Sequence, residues 1–362
     1  MCEAGGKHRL SEDFSVSDLY VEITNKCNLY CKYCCRDSGI DQTCEMSAEV
    51  FDKLLSEARE LGCRNITLTG GEAILHHDFE GMLERCIHFG YDVHLLSNGL
   101  GLKNLSGHCL GQIKRIQISM DGGSAEDNDQ TRGVGTFAHI VGAIGYLLEE
   151  GMTPESISLK MTITHRNMNG IMSLIALAAD YEIMNVGFSF LYKAGRAAAL
   201  EEDLFVTKED KNNILDMLGE ARLRYPNMDI QSPAYTDKCP LLKEEGKISL
   251  MPRISCTGKV YACQMFSDEF WIGDLSSDHL ADLIKGARME GLRALALSRE
   301  NFMEECQNCA LRKKCGRGCV AVSLFDGIAA TDGNCCLREN HDKEVRHMAV
   351  KWIRKQQEFA TL

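Results

Sequence analysis

Short β-rich runs alternate with longer helical patterns through the first two hundred residues, and this alternation restricts the fold more than any other feature of the chain. The runs lie at 19–24 (LYVEIT), 65–69 (NITLT), 92–97 (DVHLLS), 115–119 (RIQIS), 158–163 (SLKMTI) and 186–190 (VGFSF), rich in the residues that suit a pleated, half-buried surface. The clearest helical pattern between them starts at Ser47, a good N-cap, and places Phe51, Leu54, Leu55, Ala58 and Leu61 on one face. Others lie at 79–89, 137–150 and 170–181. About six strand–helix units imply parallel strands covered by helices, in an open sheet or a barrel. After residue 190 the rhythm breaks. A helix is expected over 208–225 and a turn-rich connection over 225–240. From Cys239 onward short strands, glycines and clustered cysteines predict a small domain organised by metal rather than by a large apolar core. The last helical patterns are 281–288 and 344–358.

The chain has 362 residues, enough for one large domain or a large and a smaller one. A formal charge of -12 without a Lys/Arg-rich block argues against a nucleic-acid partner, which wants a basic face. No apolar run is long enough for a membrane span. The start, MCEAGGKHRLSEDFS, lacks the apolar segment of a signal peptide. A cytoplasmic protein is therefore expected. In that reducing compartment the 18 cysteines read as metal ligands and buried thiols rather than disulfides.

The densest cysteine signal is Cys27-Asn-Leu-Tyr-Cys31-Lys-Tyr-Cys34, directly after the first expected strand. The carboxyl end of a strand is where a β/α fold gathers catalytic groups. Three thiolates suit a cubane with one iron left open, or a zinc knuckle completed by His8, His76 or Cys35. The motif, with the aromatic Tyr33 before its last cysteine, resembles the radical S-adenosylmethionine superfamily. The resemblance continues through Gly70-Gly71-Glu72, Ser97-Asn98-Gly99, Ser119-Met120-Asp121-Gly122, Asp129 and Arg132, and Gly195-Arg196, each near a strand end, and covers about residues 16–200.

The resemblance implies that Cys27, Cys31 and Cys34 bind a [4Fe-4S] cluster whose open iron takes the amino and carboxylate groups of S-adenosylmethionine. It implies cofactor contacts from Tyr33, Gly70, Gly71, Glu72, Asn98, Ser119, Asp121 and Arg132. Gly70, Gly71 and Glu72 would line the methionine amino group, and Ser119 and Arg132 the ribose and carboxylate. No catalytic side chain beyond the cluster is assigned.

Downstream stand Cys306, Cys309, Cys315 and Cys319, preceded by Cys239, Cys256 and Cys263 and followed by Cys335 and Cys336. A Gly- and Lys-rich loop of this kind buries little apolar area, so metal binding explains its order; spacing alone permits zinc as well as iron–sulfur. The arrangement resembles the SPASM extension, with Gly258 to Cys263 as its GxxxxC element. The resemblance implies one auxiliary cluster on Cys239, Cys256, Cys263 and Cys319, and another on Cys306, Cys309, Cys315 and either Cys335 or Cys336. The expected fold is thus an α/β partial (β/α)6 barrel followed by a small cysteine-rich iron–sulfur domain. The core would span 16–230, the SPASM-like region 231–342, and a C-terminal helix 343–362.

Enzymes of this layout generate a 5′-deoxyadenosyl radical and mostly modify ribosomally made peptides or proteins. The resemblance implies a thioether or carbon–carbon crosslink, with a flavodoxin- or ferredoxin-like reductant. Only eighteen residues precede the first expected strand, so a leader would be read by a separate protein or by the enzyme body. Gln264 follows Cys263, where formylglycine-forming relatives carry an aspartate, which counts against that chemistry. Radical modification of a small biosynthetic intermediate and a non-catalytic metal-stabilised scaffold are the other classes.

Overall fold

In a computed structural model of the chain, the described residues are 14–233, 239–242, 248–298 and 319–325. A short strand β1 (Phe14–Val16) leads into β2 (Asp18–Thr24), followed by α1 (Ala48–Glu60). The alternation continues with β3 (Asn65–Gly70), α2 (Phe79–His88), β4 (Asp92–Ser97), α3 (Gly107–Gln112) and β5 (Ile113–Ser119). Two helices, α4 (Ala125–Arg132) and α5 (Thr136–Glu149), precede β6 (Ile157–Ile163). Next come α6 (Ile171–Asp180), β7 (Asn185–Phe190), α7 (Lys208–Arg224) and β8 (Asp229–Gln231). Strands β2 to β8 pair in sequence order, all parallel. Six of them, β2 to β7, each feed a helix, which is the expected partial (β/α)6 barrel.

Local chemistry accounts for the elements. Ser47 caps α1 by accepting from the Val50 amide, and Phe51, Leu54, Leu55 and Ala58 are buried. Thr207 and Asp210 form a capping box at the start of α7. In β6, Ile157, Leu159, Met161 and Ile163 are fully buried while Ser158, Lys160 and Thr162 are not. The period-2 alternation thus sends apolar groups under the helices and polar groups to the barrel interior.

The remaining elements are β9 (Ile248–Leu250), β10 (Arg253–Ile254), β11 (Lys259–Tyr261), β12 (Trp271–Asp274), α8 (Leu280–Lys285), α9 (Ala287–Ser298) and α10 (Val320–Phe325). Three departures from the sequence reading appear here. The connection over 225–240 contains β8, a strand of three residues and too short to show periodicity. The helical pattern at 281–288 is two helices broken at Gly286, whose extended backbone ends α8. The cysteine-rich region also has a substantial apolar core: Val260, Tyr261, Phe266, Phe270, Ile272 and Leu280 are buried in the same cluster as the barrel residues. The reason lies in the sheet. Strand β10 pairs parallel with β2, and β11 and β12 continue outward antiparallel, so one ten-stranded sheet serves both regions. The expected helix at 344–358 lies outside the described residues.

Side chains of α1 bind the two regions together. Lys53 Nζ donates to the Leu275 and Asp278 carbonyls at 2.7 Å each. Glu57 accepts from the Leu280 amide at 2.7 Å, doing for α8 what its own cap residue His279 does not. Glu57→Ala is expected to cost about 1–2 kcal/mol, read as a lower urea midpoint with an unchanged slope.

Candidate active site

The carboxyl ends of β2 to β6 converge on one site. Beyond β2 the backbone is held to the end of β3: the Gly71 amide donates to Thr24 O and the Glu72 amide to Lys26 O, both at 2.8 Å. A Cβ on Gly70 would lie 2.0 Å from Thr24 O, and one on Gly71 would lie 2.3 Å from Lys26 O. Gly70 also has φ +142°. The two glycines are therefore needed for contact between the protein's own strands, a use the sequence reading had not given them.

This contact brings the 27–34 loop over Glu72. The Cys27 sulfur accepts from the Leu29 amide at 3.4 Å and from Asn98 Nδ2 at 3.8 Å. Asn98 Nδ2 also donates to Asn28 Oδ1 at 2.8 Å. Burial pushes the Cys27 thiol up to about 11, with the charges of Glu72, Cys31 and Cys34 acting in the same direction. Burial likewise raises Cys31, which lies near Cys34, Asp121, Arg132 and Arg196. Burial thus opposes deprotonation at Cys27 and Cys31, which suits a cation that holds them as thiolates. Cys35 lies near Tyr20 and Arg36.

Arg196 locks the loop from the end of β7. Its amide donates to Cys34 O and its Nε to Cys31 O, both at 3.0 Å. Nη1 reaches Ser38 O at 2.7 Å, and the guanidinium stacks 3.8 Å from the Tyr30 ring centroid. A Cβ on neighbouring Gly195 would come 2.5 Å from Cys34 O. The zinc-knuckle alternative loses one candidate here. His76 already uses both ring nitrogens, with Nε2 3.1 Å from Met46 O and Nδ1 accepting from the Asp78 amide at 3.1 Å. His8 lies outside the described residues.

Glu72 is 1% exposed. One carboxylate oxygen accepts from the Asn98 amide at 2.7 Å, and the other is buried without a partner among the described residues. Burial pushes its carboxyl up to about 7, against the pull of the Asn98 hydrogen bond. An orphaned buried oxygen beside Cys27 fits the methionine ammonium of S-adenosylmethionine. Asp121 is fully buried. It accepts from the Tyr33 hydroxyl, Thr131 Oγ1 at 2.9 Å, Arg132 Nη2 at 3.1 Å and the Thr162 amide at 3.0 Å. Arg132 Nε sits 2.9 Å from Asp121 Oδ2 but off the hydrogen-bond direction, so its N–H has no aligned acceptor. Tyr33, Asp121 and Arg132 thus form one buried knot, and Ser119 ends β5 opposite Lys160 of β6. Sequence reasoning missed Asn128 and Asn167, both fully buried. Asn128 Oδ1 accepts from the Asp121 amide at 2.9 Å, and Asn167 Nδ2 donates to Asp121 O at 3.3 Å. Lone asparagines, one inside α4 and one in the connection after β6, carry no signal on their own. Asp129, by contrast, ties α4 to α5 through the Gly135 and Phe137 amides.

A second group of thiols forms beyond β11. Burial pushes Cys263 upward, and neighbouring Cys319 and Cys239 push it further. Cys256 is not in this group; it hydrogen-bonds Cys44 instead. The hairpin explains the separation. Ile254 pairs with Val260 and Met251 with Cys263, so Cys256 is in the turn and Cys263 at the open end. Cys306, Cys309, Cys315, Cys335 and Cys336 lie outside the described residues.

Because the Glu72 carboxyl titrates at about 7 in the fold against an ordinary 4.5, folding favours its protonated form. Stability is lost as pH rises from 4.5 through 7. Glu72→Gln is therefore expected to be more stable than the parent above pH 7, by about 1–3 kcal/mol. The difference should vanish near pH 4.5, as read by urea unfolding of the metal-free chain.

Comparison with known proteins agrees with this geometry. The radical SAM superfamily matches residues 21–178, and SPASM, an iron–sulfur cluster-binding domain, matches residues 250–310. The chain is 26% identical over 325 residues to the mycofactocin maturase MftC of Mycolicibacterium smegmatis, covering 86% of this chain and 79% of that protein. It is 26% identical over 345 residues to the PqqA peptide cyclase of Methylobacterium nodulans, covering 90% and 87%. Among solved structures, Streptococcus suis SuiB bound to S-adenosylmethionine has a TM-score of 0.69 at 16% identity, over 89% of this chain and 78% of that one. The structure of anSMEcpe with bound AdoMet and Cp18Cys peptide gives 0.67 at 17%, over 95% and 98%. With one match spanning the loop that carries Cys27, Cys31 and Cys34 and the other the hairpin that carries Cys263, the chain is an enzyme with a radical S-adenosylmethionine domain followed by a SPASM iron–sulfur cluster-binding domain.

Proposed function

We propose that this enzyme oxidatively modifies a ribosomally made peptide, closing a thioether or carbon–carbon crosslink. The observation that carries the reading is the convergence of Cys27, Cys31, Cys34, Glu72 and the Asp121–Arg132 knot at one end of the barrel, with a second thiol group across the shared sheet. Relatives along most of the chain are a peptide cyclase and a maturase, and SuiB, with the same fold, has been captured with its precursor peptide SuiA. When bound, the cluster and S-adenosylmethionine supply a 5′-deoxyadenosyl radical that removes hydrogen from an unactivated carbon.

The chain's own residues position these groups. Cys27, Cys31 and Cys34 would hold the cluster, Asn98 orients the Cys27 sulfur, and Arg196 keeps the loop from opening. Glu72 would receive the methionine ammonium with the oxygen that has no partner among the described residues. Arg132, steadied by Asp121, would face the carboxylate, with Ser119 at the ribose; Tyr33, Gly70 and Gly71 frame the site. A crosslink is a two-electron oxidation of the substrate, so an acceptor is needed beyond the hydrogen abstraction. Cys239, Cys263 and Cys319 would ligate the auxiliary cluster that takes that second electron. Cys306, Cys309, Cys315 and Cys335 or Cys336 would form the other, and Cys256 is left out of both. A flavodoxin- or ferredoxin-like protein would supply the first electron, and a leader would be read by a separate protein or by the enzyme body. No described helix is long and apolar enough to cross a membrane, in keeping with work in the cytoplasm.

Anaerobic reconstitution is expected to give about twelve irons per chain if all three clusters are cubanes. Dithionite and S-adenosylmethionine should then yield 5′-deoxyadenosine by chromatography. Replacing Cys27, Cys31 and Cys34 together with Ala should abolish that product and leave the downstream iron. Cleavage that survives the replacement would remove the assignment. Cys263→Ala is expected to lower iron content, whereas Cys256→Ala should not. Co-expression with short reading frames beside its gene should yield a peptide lighter by a hydrogen pair, by mass spectrometry.

A further inference from the structure

A buried ion network outside the cofactor site joins the two thiol groups. Glu22 of β2 is 7% exposed and Arg253 of β10 is 1% exposed. Arg253 Nη1 lies 3.2 and 3.3 Å from the two Glu22 carboxylate oxygens, and Arg36 Nε donates to the same carboxylate. Arg36 is the second residue after Cys34.

Both arginines grip the turn that begins at Cys263. Arg36 Nη2 donates to the carbonyl of Gln264, the residue after Cys263. Arg253 Nη2 donates to Phe266 O at 3.2 Å and to Asp268 Oδ1 at 2.9 Å. The Arg253 guanidinium stacks 3.6 Å from the Tyr261 ring centroid. Within the same turn the Met265 and Phe266 amides reach the Cys263 sulfur. One carboxylate therefore holds two guanidiniums, and those two hold the backbone that orients Cys263.

Burying Arg253 and Glu22 at the centre of such a network is a costly way to pin a loop, because desolvation opposes both. A hydrophobic contact would pin it as well. What the ions add is fixed charge on the turn that carries Cys263. Arg36 in particular runs from beside the loop of the first cluster to the main chain of Gln264, next to Cys263.

We propose that Glu22, Arg36 and Arg253 are positioning residues that hold the Cys263 turn against the 27–34 loop and set the reduction potential of the cluster that Cys263 ligates. The proposal rests on the reading of Cys239, Cys263 and Cys319 as a cluster site. Reduction adds one negative charge to a cluster, so a nearby guanidinium favours the reduced form and a carboxylate opposes it.

The test uses full-length chain with Cys27, Cys31 and Cys34 replaced by Ala, reconstituted anaerobically and titrated potentiometrically with detection by electron paramagnetic resonance. The signal to follow is the one lost on adding Cys263→Ala. Arg36→Gln should move its midpoint to a more negative potential, and Glu22→Gln should move it to a more positive one. Arg36→Lys, which keeps the charge, should bring it back towards the parent value. Loosening of the turn alone would shift both neutral variants in the same direction, so shifts of equal sign, or no shift, would overturn the proposal. If Arg36→Gln does not fold, Glu22→Gln and Arg36→Lys still decide: a negative shift in the first, or one in the second as large as loss of cluster order produces, sinks it. If no signal depends on Cys263, the ligand assignment beneath the proposal fails instead.

Discussion

Everything at the active site depends on a backbone contact between the ends of two parallel strands. The Thr24 and Lys26 carbonyls accept from the Gly71 and Glu72 amides at 2.8 Å each. That contact continues the β2–β3 ladder one step past the sheet. It forces the chain leaving β2 to turn across β3, and so it delivers Cys27 to Glu72 and Asn98. Only residues without a Cβ fit there, because the added carbon would sit well inside the van der Waals contact distance to a carbonyl oxygen. The glycines serve the cofactor indirectly, by letting the cysteine loop lie close.

Around that contact the protein keeps buried charge in two states. Asp121 is surrounded by donors, including the backbone of β6 and the guanidinium of Arg132, and serves as a fixed anchor between β5, β6 and α4. Glu72 has only part of its hydrogen-bonding capacity filled, and burial holds its carboxyl near 7. A satisfied carboxylate builds the wall, while the other keeps one oxygen without a partner among the described residues. Stability is given up at Glu72.

The barrel was legible because its signals are local and periodic. The strand at 92–97 and the start of α1 at Ser47 appear where the residues place them. Each depends on alternation or on a single side chain reaching its own helix. The site was legible only as far as motif order carried it. The roles of Asn98 towards Cys27, Arg196 towards the 27–34 loop and Asn167 towards Asp121 join residues far apart in the chain. Strand β8 and the division between α8 and α9 escaped because a three-residue strand has no period and a single glycine does not declare a helix break.

The cysteines draw the line between the two kinds of knowledge. Residue type and spacing by themselves determined that Cys27, Cys31 and Cys34 stand together, since eight residues of loop leave them little room to part. Spacing could not sort the distant cysteines, because which of them meet depends on hairpin register. Pairing Ile254 with Val260 sends Cys256 to the turn beside Cys44 and leaves Cys263 to join Cys239 and Cys319. The sequence also determined the parallel α/β core through its alternating periods. Only the tertiary structure decided that the cysteine-rich region extends the same sheet, because strand order across a sheet is set by long-range hydrogen bonds that no local pattern encodes.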